Sequence, residues 1–123
     1  MTKKLSDEQK IFNKVSKHLL LQNERSVTFS SGCRYRGEDG LKCAIGCLIK
    51  DEVYSSDLEG NGVQSPDVVA ALVDSGVKVT PETYELMSRL QEIHDESQPS
   101  EWPRLLVGLG IGRGLDTSLI RIP

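Results

Sequence analysis

Apolar residues recur at helical spacing early in the chain. Ile11, Phe12, Val15, Leu19 and Leu20 fall on one face of a helix, leaving Lys10, Lys14 and Lys17 for solvent. Ser6-Asp7-Glu8-Gln9 reads as a capping box, in which the Ser6 hydroxyl accepts from the Gln9 N–H and the Gln9 side chain reaches back. Gln22-Asn23 marks the stop.

The pattern then changes period. Val27, Thr28 and Phe29 favour extended chain through β-branching and aromaticity. After Ser30-Ser31-Gly32, the alternating Cys33-Arg34-Tyr35-Arg36, the turn chemistry of Gly37-Glu38-Asp39-Gly40 and the following Leu41-Lys42-Cys43 predict a short β-hairpin. Ala44 to Ile49 is apolar on all sides and must be buried, as strand or as short helix, with Gly46 weakening either.

Lys50 to Gln64 has no clear period and reads as a long surface loop, a kind of segment that often carries function. Ser65-Pro66 and Thr80-Pro81 each pair an N-cap with Pro at the first helical position. The helix after Ser65 buries Val68, Val69, Leu72 and Val73 and closes at Gly76. The helix after Thr80 carries Tyr84, Leu86, Met87, Leu90, Ile93 and His94 and ends near Ser97. Ser100 caps a fourth helix burying Trp102, Leu105, Leu106 and Leu109, which the glycines from Gly108 onward should fray. The expected fold is α+β and mostly helical: four helices with a small β-hairpin inserted after the first, in one domain spanning residues 1–123.

Composition narrows the function. A net charge of −3 argues against a general binder of nucleic-acid backbones, which relies on clustered Lys and Arg. Scarce aromatics imply an aliphatic core. Cys33, Cys43 and Cys47 are an odd set within fifteen residues, which suits reduced thiols in a cytoplasm better than a disulfide framework. No apolar run is long enough to span a membrane, and no signal-peptide core follows the charged start.

Two segments, CRYRGEDGLKCAIGCLIKDEVY (Cys33 to Tyr54) and LQEIHDESQPSEW (Leu90 to Trp102), resemble recurrent stretches in small uncharacterised proteins of bacteriophages and prophages. The resemblance implies an accessory protein acting in the cytoplasm of an infected host cell. It carries no activity and no catalytic residue with it.

Candidate chemistry falls into three groups. Cys43, His94 and Asp95 could form a thiolate site activated by an imidazole and oriented by a carboxylate, the basis of a small hydrolase or transferase. On a helix, however, Asp95 should point away from its neighbour His94, and buried structural roles suit Cys43 and His94 better. Cys43 and Cys47 have the separation of one zinc-ligand pair, but Cys33 is loosely spaced and His18 or His94 would be an arbitrary fourth ligand; no metal and no cofactor are expected. Gly108 to Gly114 follows a helical pattern where a phosphate loop would follow a strand, and Asp57, Glu59 and Asn61 lack the twelve-residue calcium pattern.

The third group is a polar surface. Arg34 and Arg36 share one hairpin face, with Tyr35 on the other as an interface anchor, and paired guanidiniums can clamp a phosphate or a carboxylate. With Asp39 and Lys42 of the hairpin, and Asp51, Glu52, Tyr54 and Glu59 of the loop, they form the expected binding surface. The expected function is non-enzymatic: binding a host protein, such as a defence component, or a small phosphorylated ligand, with no membrane partner. Lys10 and Lys14 of the first helix should contribute little.

Overall fold

The computed structural model describes residues 5–28, 32–37 and 40–120. Helix α1, Asp7–Gln22, starts where the sequence places it: Ser6 Oγ accepts from the Gln9 N–H at 3.1 Å. The reciprocal half of the capping box is absent, because Gln9 Oε1, the acceptor it needs, takes the Asp116 N–H at 2.8 Å, while Nε2 donates to Asn13 Oδ1 and to the Asp116 carbonyl. Asn23 ends the helix at φ +53°, a left-handed conformation that Asn tolerates and that lets its N–H return to the Leu19 carbonyl.

Helix α2, Pro66–Asp74, buries Val68, Ala71 and Leu72 but leaves Val73 exposed. Helix α3, Pro81–Glu96, opens on a reciprocal Thr80–Thr83 cap and buries Leu86, Met87, Leu90 and His94. Helix α4, Trp102–Gly112, follows a 3-10 turn over Pro99–Glu101, so Ser100 lies inside that turn and does not cap the helix. The glycines do not stop α4 early. A side chain at Gly110 would strike Phe12 and Thr117, so the bare backbone is what lets α4 close on α1. The main packing is α1 against α3, with α4 against both. Phe12, Val15, Leu19, Leu86, Met87, Leu90, Trp102 and Leu106 are sealed from water between them. Each such side chain contributes about 1.5–3 kcal/mol.

The α+β expectation is wrong: the fold is helical. Among the described residues, extended pairing is confined to Val27 with Cys33 and Thr28 with Gly32, plus one isolated bridge between Arg36 and Lys42. The predicted hairpin goes no further among them, because Gly32 and Cys33 pair with Thr28 and Val27, and the Arg34 N–H goes to the Ser26 carbonyl. Only the Arg36–Lys42 bridge, with the Gly37 N–H on the Leu41 carbonyl, joins the two expected strands; side chains meet the groups that face outward. The Glu59 carboxylate accepts the N–H groups of Tyr35 and Arg36, and Gln22 engages both groups of the Lys42 peptide. The turn residues Glu38 and Asp39 lie outside the described residues.

Ala44 to Ile49 is neither strand nor regular helix. It forms a turn and then a 3-10 turn over Gly46–Leu48, with Ala44, Ile45, Leu48 and Ile49 buried. A side chain at Gly46 would collide with the Tyr35 backbone carbonyl, so Gly46 is what allows the two segments to touch.

Candidate functional site

Glu59 organises the polar surface. It follows a 3-10 turn over Ser56–Leu58 whose Leu58 is buried, which anchors a segment that looked like free loop. Its Oε1 accepts the Tyr35 N–H at 3.0 Å, and its Oε2 accepts the Arg36 N–H at 3.0 Å and the Tyr54 hydroxyl at 2.5 Å. Arg34 Nε lies 3.8 Å from Oε1. Charge-assisted bonds of this kind are stronger than neutral ones. Burial, together with the bond to Glu59, raises the Tyr54 pKa and keeps that hydroxyl a donor.

The two arginines therefore differ. Arg36 donates to Asp51 Oδ1 and to the Ile49 carbonyl, and its guanidinium lies 4.9 Å from the centroid of the Tyr54 ring. It ties the core turn to the surface. Arg34 is 36% exposed at the edge of the cluster. Asp51 is 80% exposed; its hydrogen bond from Arg36, and then the Lys42 ammonium 3.8 Å away, lower its pKa. Glu52 is exposed in the adjoining turn. Tyr35 is not the exposed anchor the sequence suggested: it is buried and donates its hydroxyl to the Asn61 carbonyl. Asp39 lies outside the described residues. The structure thus brings Arg34, Tyr35, Arg36, Lys42, Asp51, Tyr54 and Glu59 together as one wired platform.

The thiol site has different geometry from the one it was read for. His94 is fully buried; its Nε2 accepts the Ser26 N–H at 3.0 Å, and its Nδ1 donates to Asp95 Oδ1 at 2.9 Å. Asp95 does not point away from His94, because the ring reaches over to it. Gln91 Nε2 donates to the same carboxylate oxygen, while Gln91 Oε1 accepts the Ile45 N–H. His94 also stacks on Trp102, whose Nε1 donates to the Ile93 carbonyl. Both imidazole nitrogens are thus committed to structure. Cys43 is buried, and its sulfur accepts the Gly46 N–H. Burial pushes its pKa up to about 12, the opposite of what a nucleophilic thiolate needs. Cys47 Sγ donates to the Ala44 carbonyl, and burial likewise raises its pKa to about 12.

The segments Cys33 to Tyr54 and Leu90 to Trp102 are therefore partners in space. The Ile45 N–H bond to Gln91 Oε1 joins them. No family model, curated protein or solved structure matches the chain. Among the described residues, no group of three or more His, Cys, Asp or Glu could hold a metal, and no helix is long and apolar enough to cross a membrane.

Sequence reading missed Gln22, Ser26 and Gln91, each a polar residue whose partner is distant in sequence. It also left Glu59 as one acidic loop residue among several. A signal existed for Glu59 alone: an acid and an aromatic five residues apart, Tyr54 and Glu59, beside a buried Leu58.

Proposed function

We propose that the chain is a non-enzymatic binding protein. It engages a host protein in an infected bacterial cell through the platform of Arg34, Lys42, Asp51, Glu52 and Tyr54. The observation that carries this reading is the Glu59 cluster: one carboxylate fixes two consecutive peptide groups and the Tyr54 hydroxyl, so charged groups are presented on rigid backbone. Preorganisation of this kind lowers the entropic cost of association. The engagement of both His94 nitrogens and the raised Cys43 pKa also support binding over thiol chemistry. A protein partner is favoured over a small phosphorylated ligand because Arg36 is already matched by Asp51. The phage setting rests on the sequence resemblance, and a defence protein is the kind of component such a factor would block.

Photo-crosslinking tests the reading. A photoreactive residue at Glu52 should give one defined host adduct in infected cells, whereas one at Asp67 on α2 should not. Adducts of equal yield and identity at both positions would refute the assigned surface.

A further inference from the structure

A second feature lies away from the platform, on the side of α1 that faces the C-terminal segment. Leu5, Phe12, Leu20, Leu21, Leu119 and Ile120 line a groove of about 610 Å³. That volume lies within the range of small-ligand sites. Leu5, Leu21 and Leu119 are 50%, 76% and 75% exposed, a concentration of apolar side chains in water that scattered surface leucines do not produce. Lys10, Lys14 and Lys17 stand along the same groove. Ser16, which also lines it, is 3% exposed, and its hydroxyl is buried without a hydrogen-bond partner. An unpartnered buried hydroxyl is costly.

The remaining polar lining is partly committed. Asn13 Oδ1 accepts from Gln9, and Asp116 Oδ1 accepts the Ser118 N–H at 2.8 Å.

We propose that this groove binds a single-chain amphiphile with an anionic head, of the fatty-acyl carboxylate class. The leucines take the alkyl chain and the lysines along the rim take the head. A second copy of the chain would set one lysine row against another. The inference stands independently of the platform and of the host-protein reading.

The test is calorimetric titration of the full chain with octanoate, decanoate, dodecanoate and dodecanol, each below its micelle concentration. One molecule should bind per chain, with affinity rising about tenfold for every two methylenes added. Dodecanoate should bind at least tenfold more tightly than dodecanol. Lys14→Gln with Lys17→Gln should remove that preference while sparing dodecanol. Leu21→Asp and Leu119→Asp sit at exposed positions, so helical circular dichroism should be unchanged while both ligands are lost. Absent saturable binding, affinity indifferent to chain length, or unchanged binding in the Leu21→Asp protein would overturn the proposal. So would a solution dimer dissolved by Leu119→Asp, or binding to anionic vesicles with none to the monomeric carboxylates.

Discussion

Gln22 pairs with the Lys42 peptide as a neighbouring strand would: its Oε1 accepts the Lys42 N–H at 2.8 Å, and its Nε2 donates to the Lys42 carbonyl at 2.8 Å. The last turn of α1 thereby holds the segment leading into the buried turn at Ala44–Ile49. Gln22→Ala should destabilise the protein by about 1–3 kcal/mol, the range for stranding partly buried backbone groups. Hydrogen exchange at the Lys42 amide should accelerate in that variant. An unchanged exchange rate would mean the pairing does not protect it.

Glu59 should be the most sensitive polar residue of the platform. Glu59→Ala strands two peptide N–H groups and the Tyr54 hydroxyl, and should cost roughly 2–4 kcal/mol in urea unfolding. Glu59→Gln keeps one acceptor oxygen and should cost less. Arg34→Ala, at the exposed edge, should fall within about 1 kcal/mol of the parent.

Gly46→Ala should be among the most damaging single changes. The added methyl meets the Tyr35 carbonyl, a backbone atom that cannot rotate away. A loss of about 3 kcal/mol is expected, at the upper end of overpacking costs. A variant as stable as the parent would mean that the turn can move off Tyr35.

Stability should fall on both sides of neutrality. His18 Nε2 donates to the Lys42 carbonyl, and burial lowers the His18 pKa below its ordinary 6.5. The folded chain prefers neutral imidazole, so this contribution is present above 6.5 and is lost as pH falls through the lowered value. Cys43 and Cys47 titrate at about 12 when folded against an ordinary 9.0. The unfolded chain then releases thiol protons that the folded chain keeps. This contribution is present below about 9 and is lost as pH rises from there toward 12. Urea unfolding across pH checks both slopes: His18→Gln should flatten the acid side and Cys43→Ala the alkaline side.

Helix boundaries were legible because their causes are local. Ser6, Ser65 with Pro66, and Thr80 with Pro81 state where helices begin, and apolar spacing states which faces are buried. Residues 33–43 misled because alternation and a glycine-rich turn describe a hairpin only when its backbone groups are free to pair. Here Cys33 and Arg34 pair with Val27 and Ser26, and the carboxylate of Glu59, distant in sequence, takes the Tyr35 N–H. The same gap explains Tyr35. Alternation put it on one face of a hairpin, but only the fold shows that this face meets Gly46 and Asn61. At His94, neighbours on a helix were assumed to diverge, yet a ring nitrogen reaches a carboxylate one residue away.

In the proposed function the surface, and not the thiol, carries activity. Quantitative affinity capture from infected cells tests it most directly, comparing the parent chain with Arg34→Ala/Lys42→Ala and with Cys43→Ser/His94→Gln, each first matched for folded fraction by circular dichroism. The partner crosslinked at Glu52 should be recovered by the parent and by the thiol–imidazole variant. The Arg34→Ala/Lys42→Ala variant should lose at least tenfold, equivalent to about 1.4 kcal/mol. Full recovery by the Arg34→Ala/Lys42→Ala protein, with loss confined to a well-folded Cys43→Ser/His94→Gln protein, would contradict it.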